Sequence, residues 1–227
     1  FEKEFGFVKK KDWIDFINNK STIKFKEKII LTFDDGFSCH YDYVFPELQK
    51  RGLWAIFYIP TMPYKCKNLL DVHKIHLLCG AFNDLKIYEI LLSLIKEEMI
   101  PDIKRDDFAK LTYLSQKNSK YIKEIKRILN YFIDYKYRSF IIEKLAKQLN
   151  YKFNSEKFYI SKKNLVKMSK AGHVIGSHTV NHFVMSKLSS EKQLFEIKDS
   201  FALLQNLGLN AEKTYCHPYG GFHSFNK

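Results

Sequence analysis

Short apolar runs rich in β-branched residues recur near both ends of the chain, each followed by a polar cluster and then an amphipathic stretch. That rhythm predicts alternating strands and helices. Residues 1–20 read as an amphipathic helix with Trp13, Phe16 and Ile17 on one side. Residues 28–33 (KIILTF) read as a buried strand ending in Asp34-Asp35-Gly36. A helix over 41–51 stops at Gly52, a residue suited to a left-handed cap, and 54–59 (WAIFYI) is the next buried strand. A β-α-β unit this short predicts a parallel pair. Residues 68–150 lack such runs and carry helical spacing instead, over 85–99 (halted near Pro101), 119–131 and 138–149. The strand-helix rhythm returns with a helix capped by Ser161 and ending before Gly172, then a strand over 173–176. Ser190 and Gln193 fit a capping box for a helix that turns Leu194, Ile197, Phe201 and Leu204 to one side and stops at Gly208. Residues 214–217 read as a last short strand.

Composition narrows the class. The chain has 227 residues, 45% of them hydrophobic, which is enough for a sizeable core and excludes overall disorder. The length suits a single α/β barrel as well as two small domains. No run of 18 apolar residues exists, so no membrane-spanning helix is expected. No leader is visible, and because the first residue is Phe1 a processed product or a fragment is expected. Cys39, Cys66, Cys79 and Cys216 form no C-x-x-C pair, which argues against a zinc finger and suits free thiols. The formal charge is +13, and residues 60–170 hold 23 Lys/Arg against 12 Asp/Glu. Only four basic residues are Arg, whereas readers of nucleic-acid sequence favour Arg, so specific nucleic-acid binding is not expected. A Lys-rich solvated surface is the plain reading; electrostatic binding of an anionic polymer by this segment is the other.

Three strands end in polar clusters: Asp34-Asp35-Gly36, His178-Thr179-Val180-Asn181-His182 and His217-Pro218-Tyr219-Gly220. In parallel α/β folds functional groups gather at such carboxyl ends, so one shared site is expected. His178 and His182 are four apart and on one helical turn would grip a single metal, although core or surface histidines have the same spacing. Thr179 stands where a zincin carries Glu, which weakens a metalloprotease reading. Adjacent aspartates on an extended segment diverge, so one can bind a metal while the other takes a proton. A helix cap beside a solvated Asp, or an aspartyl nucleophile, are the competing readings. One Asp with two His makes a facial set with open positions, suited to zinc or iron and to hydrolysis.

With these residues in view, the chain resembles the polysaccharide deacetylases, carbohydrate esterase family 4, also called the NodB homology domain. Thr32-Phe33-Asp34-Asp35-Gly36, His178-Thr179-Val180-Asn181-His182 and Pro218-Tyr219-Gly220 match the family's first three motifs in order. The similar stretches are about 28–60 and 173–221. The resemblance implies an α/β fold, a distorted (β/α) barrel over residues 1–227 as one domain, with a helical insertion over about 68–160. It implies a hydrolase that removes N- or O-acetyl groups from sugars, with a metal-activated water as nucleophile. Asp34 would be the general base, and Asp35, His178 and His182 the ligands of a divalent metal, zinc first and cobalt, manganese or iron as alternatives. The backbone N–H of Tyr219 would hold the oxyanion, and Pro218 and Tyr219 would meet the substrate, an acetylated oligo- or polysaccharide.

Two departures are visible. The family's third motif often carries an Arg that orients the base, and Cys216 stands at the equivalent place. The family's later Leu-x-His, whose His protonates the leaving group, does not follow before Lys227, so further strands and the catalytic acid are expected beyond the C-terminus. His217 and His223 lie near without a geometric reason to promote either; for His73 and His76 an ordinary surface role is the plain expectation, and lining the site's mouth is the other. A composition rich in Lys, Ile, Asn, Phe and Tyr suits an AT-rich bacterial genome and points to surface-glycan or lipopolysaccharide assembly. The cytoplasm is the expected compartment, or the periplasm or cell surface if a leader has been removed. A weak or inactive barrel that binds a glycan or a protein partner is the alternative function.

Overall fold

The structure is a computed structural model and describes residues 4–20, 28–102, 105–114, 116–209 and 212–225. Its helices are α1 (Lys10–Ile17), α2 (Phe45–Lys50), α3 (Met62–Cys66), α4 (Asp71–Ala81), α5 (Asp84–Leu94), α6 (Arg105–Leu111), α7 (Lys120–Arg127), α8 (Tyr135–Gln148), α9 (Lys162–Lys170) and α10 (Ser190–Asn206). Its strands are β1 (Leu31–Phe33), β2 (Ala55–Ile59) and β3 (Val174–Ser177). Two compact units result. One holds residues 1–64, 156–180 and 194–216, the other residues 65–155, 181–193 and 217–227.

The first unit is built on a parallel sheet in the order β1-β2-β3, with Leu31 opposite Ala55 and Ile56 opposite Val174. β2 is central, and Ala55, Phe57 and Ile59 are fully buried, as expected for a parallel strand covered on both faces. The β-α-β pairing read from the sequence is therefore present, and Gly52 adopts φ +64 just after α2. Phe45, Leu48, Leu165, Met168, Ile175 and Leu204 pack around Phe57. Gly176 is required by close approach: a Cβ there would lie 2.7 Å from the Tyr58 ring and 2.8 Å from Thr214.

Several boundaries differ from expectation. The first helix covers only Lys10–Ile17, and residues 1–3 lie outside the described residues. Trp13 packs on Trp54 with ring centroids 5.4 Å apart, while Phe16 and Ile17 stay exposed because one helix face alone is covered. The run over 28–33 forms a strand only at Leu31–Phe33. The last expected strand is reduced to one parallel bridge between Ser177 and Tyr215, and a closed barrel is not seen among the described residues. The α10 cap is Ser189, whose hydroxyl accepts from the Lys192 N–H at 3.4 Å; two adjacent serines displaced the sequence reading by one residue. Leu194 is exposed, and the buried stripe of α10 runs through Glu196, Ser200 and Leu204, because the helix covers polar backbone as well as apolar side chains.

The second unit is helical, as the 68–150 pattern predicts. Side chains of Asn83, Ser119 and Asp134 cap α5, α7 and α8, and Ile87, Leu91, Ile125, Leu129, Ile142 and Leu145 form its core. The helix expected over 85–99 is α5 followed by a 3-10 turn at Glu97–Met99, and α7 runs on into a π-helical turn at Ile128–Phe132. No described helix is long and apolar enough to cross a membrane.

One core group sets a pH dependence. His173 is buried edge-on to Phe45 and Phe57, and the Ala55 N–H donates to its Nδ1 at 3.2 Å. Burial, with Lys10 adding, lowers its pKa to about 4. An unfolded His titrates near 6.5, so between those values the unfolded chain binds a proton that the folded chain refuses. Stability is therefore expected to fall as pH drops from about 6.5 to about 4. Thermal unfolding at stepped pH checks this, and His173→Asn should flatten that part of the profile.

Candidate functional site

The site residues sit where strands end. β1 stops at Phe33, and the chain then turns through Asp35 at φ 73 and Gly36 at φ 65. A Cβ on Gly36 would lie 3.0 Å from Ile59 Cδ1 and 3.4 Å from the Tyr64 hydroxyl, so the turn fits glycine alone. Beyond β3 the chain stays pinned. The His178 N–H donates to the Ile59 carbonyl at 3.1 Å, and the N–H groups of Thr61 and Met62 donate to the carbonyls of Thr179 and Val180. The Val180 N–H donates to Glu196 Oε2 at 3.0 Å.

Nine described non-glycine residues have positive φ, and four fall in the three motifs: Asp35, Thr179 (φ 67), His182 (φ 55) and Tyr219 (φ 68). For a β-branched or bulky residue this conformation costs of order 1–3 kcal/mol and persists only where surroundings enforce it. Such outliers cluster at working sites, and nothing in the sequence flags them.

Asp35 and His178 each offer a ligand atom in the first unit, and His182 offers one in the second. The best-defined pair is His178 Nε2 and Asp35 Oδ1, 3.8 Å apart. Two ligands each about 2.0–2.2 Å from a cation lie no more than about 4.4 Å apart, so this pair fits a shared ion. His178 Nδ1 lies 2.8 Å from the Cys216 carbonyl, which can only accept. That bond puts the ring proton on Nδ1 and leaves the Nε2 lone pair facing Asp35, the arrangement by which an outer partner orients a metal-binding imidazole. One carboxylate and two imidazoles are a donor set that zinc and similar divalent ions accept.

Asp34 points elsewhere. The Cys216 thiol, at the place where the family often carries an Arg, donates to its Oδ2 at 3.8 Å. Burial, with Asp34 and Asp35 adding, pushes that thiol up to about 12, so it stays protonated and remains a donor. Partial burial also raises the Asp34 carboxyl above its ordinary value, against the lowering effect of His178, while Asp35 adds to the rise. His40, packed among Phe33, Phe37 and Phe57, is lowered by burial and raised in part by Asp35. Its neighbourhood with Asp35 had no signal in the sequence.

In the helical unit, Tyr219 sets its ring edge-on to His182, with centroids 5.1 Å apart, and Pro218 is buried. His76 is exposed as expected, but His73 is buried at 2% exposure with its ring centroid 6.3 Å from that of His182. The surface expectation for His73 fails because α4 turns that face inward, along with Val72 and Ile75. His217 stacks on Phe225, and the Tyr131 hydroxyl lies 3.2 Å from His223 Nε2.

The chain is similar to chitin deacetylase 2 of Saccharomyces cerevisiae, 38% identical over 55 residues that span 24% of this chain and 18% of the yeast protein. The solved structure of Streptococcus pyogenes deacetylase PplD in complex with acetate aligns with 94% of this chain and 55% of its own at 16% identity and a TM-score of 0.46. The chain thus spans about half or less of the length of either protein. The sequence profile of the polysaccharide deacetylases matches residues 111–225, which contain both histidines of the second motif and all of the third. The first motif lies ahead of that match, but its Asp35 is the residue that faces His178, and on this evidence the chain belongs to the polysaccharide deacetylase family.

Proposed function

We propose that this protein is a metal-dependent hydrolase that removes acetyl groups from amino sugars or other acetylated sugars of a bacterial surface polysaccharide. Asp35, His178 and His182 would hold the divalent ion, zinc first. The observation that carries the reading is the His178 ring, with Nδ1 committed to the Cys216 carbonyl and Nε2 turned to the Asp35 carboxylate.

When bound, the ion supplies Lewis acidity and brings a water toward a pKa of about 7. Asp34, diverging from Asp35, takes the proton from the attacking water. The Cys216 thiol steadies the oxygen that it touches. The water oxygen bonds to the acetyl carbon and the carbonyl oxygen gathers negative charge, which the Tyr219 N–H would receive. Collapse breaks the bond from carbon to the sugar nitrogen or oxygen, and the leaving atom takes up a proton. The products are acetate and the free amino or hydroxyl group. Pro218 and Tyr219 would line the sugar's approach.

The test is zinc titration of the metal-stripped protein together with acetate release from a panel of N- and O-acetylated sugars. About one zinc per chain and acetate from at least one sugar are expected. Protein that is folded, takes up no divalent metal and releases no acetate would remove the reading. Metal binding and glycan binding without acetate would favour the inactive-barrel alternative.

A further inference from the structure

The helical insertion has no role in the reaction just described, yet one of its residues holds parts of two motifs. Asn130 is fully buried in the π-helical turn Ile128–Phe132. Such turns are rare and are frequent at functional sites. The Asn130 Oδ1 accepts from the Tyr219 hydroxyl at 3.0 Å, and its Nδ2 donates to the Tyr113 hydroxyl at 2.9 Å. Its backbone carbonyl accepts from the Tyr135 hydroxyl at 3.0 Å, and that hydroxyl in turn accepts from the Val184 N–H at 2.9 Å. Val184 follows His182 by two residues. The residue between them, Phe183, stacks on Tyr135 at 4.2 Å and 13°. Buried Arg138 accompanies that stack, its guanidinium 5.2 Å from the Tyr135 ring centroid and 5.9 Å from that of Phe183.

We infer that Asn130 is a positioning residue: its side chain holds Tyr219 and its carbonyl holds, through Tyr135, the backbone that follows His182, so that the insertion aligns the second and third motifs. The inference rests on the deacetylase reading for its effect on rate. The physical basis is polar satisfaction. Three tyrosine hydroxyls meet at one residue, and none can turn away without leaving a partner unbonded, at about 1–3 kcal/mol each. That makes the alignment of Tyr219 and of the His182 segment a single cooperative choice.

Asn130→Leu keeps the branched heavy-atom shape and removes the side-chain bonds, and Tyr219→Phe removes one hydroxyl while keeping the backbone N–H. Both are expected to lower kcat about 10- to 100-fold with KM changed by less than about twofold. Zinc affinity in Asn130→Leu, read by competition with a chromogenic chelator, is expected to fall about tenfold. Amide exchange should quicken at 182–184 and 219–221 and stay slow in β2. If Asn130→Leu does not fold, Tyr219→Phe decides by the same kcat measurement. Folded variants with wild-type kcat and zinc affinity, or exchange that quickens evenly through the chain, would overturn the inference. If the wild-type protein itself releases no acetate, the deacetylase reading fails instead, and zinc affinity with local exchange still tests the clamp.

Discussion

His178→Ala is expected to hold essentially no zinc and to lose at least about 10³-fold in acetate release, and Asp35→Ala to behave alike. The size follows from what the ion supplies, several kcal/mol of charge stabilisation. The histidine is a demanding place to cut. Its Nδ1 bond to the Cys216 carbonyl and its Nε2 approach to Asp35 both vanish, so ligand and orientation go together. The scaffold should survive, because the backbone around residue 178 is held by the Ile59 carbonyl and by Glu196 through Val180. Metal analysis of the purified variants, with circular dichroism to establish folding, checks the expectation. A folded His178→Ala protein with full zinc would place the ion elsewhere.

Asp34→Asn should separate the two aspartates. It is expected to keep about one zinc per chain while kcat falls about 10²- to 10⁴-fold, the range for loss of a general base. Asn fills the same volume and can still accept from the Cys216 thiol, so the loss reports proton acceptance rather than packing. Zinc lost from Asp34→Asn and retained in Asp35→Ala would exchange the roles of the pair.

Much of this was legible in the residues. KIILTF followed by Asp-Asp-Gly and WAIFYI followed by a turn announced parallel strands because apolar runs of that length have few other uses. Ser161 and Gly172 marked the ends of α9 because capping is local chemistry, and the Ser161 hydroxyl does accept from the Asn164 N–H. The candidate ligands were legible for the same reason: carboxylates and imidazoles at strand ends have few inexpensive structural uses. What stayed hidden depends on long-range placement. Glu196 looks like any solvated helix residue until Val180 meets it, and Asn130 gives no sign of binding Tyr219, 89 residues away. Phe16, Ile17 and Leu194 were misplaced because periodicity tells which residues share a side, not which side another element covers.

The left-handed turns at Asp35, Thr179, His182 and Tyr219 carry a consequence for any attempt to make the protein hardier. A glycine at position 179 would relax its turn, a gain set against the fully buried threonine side chain that it removes. The same relaxation would let the reactive groups wander. Durability and turnover therefore draw on one reservoir at these four positions, and heat-hardened descendants of this chain should collect their changes elsewhere, in the helices and the sheet.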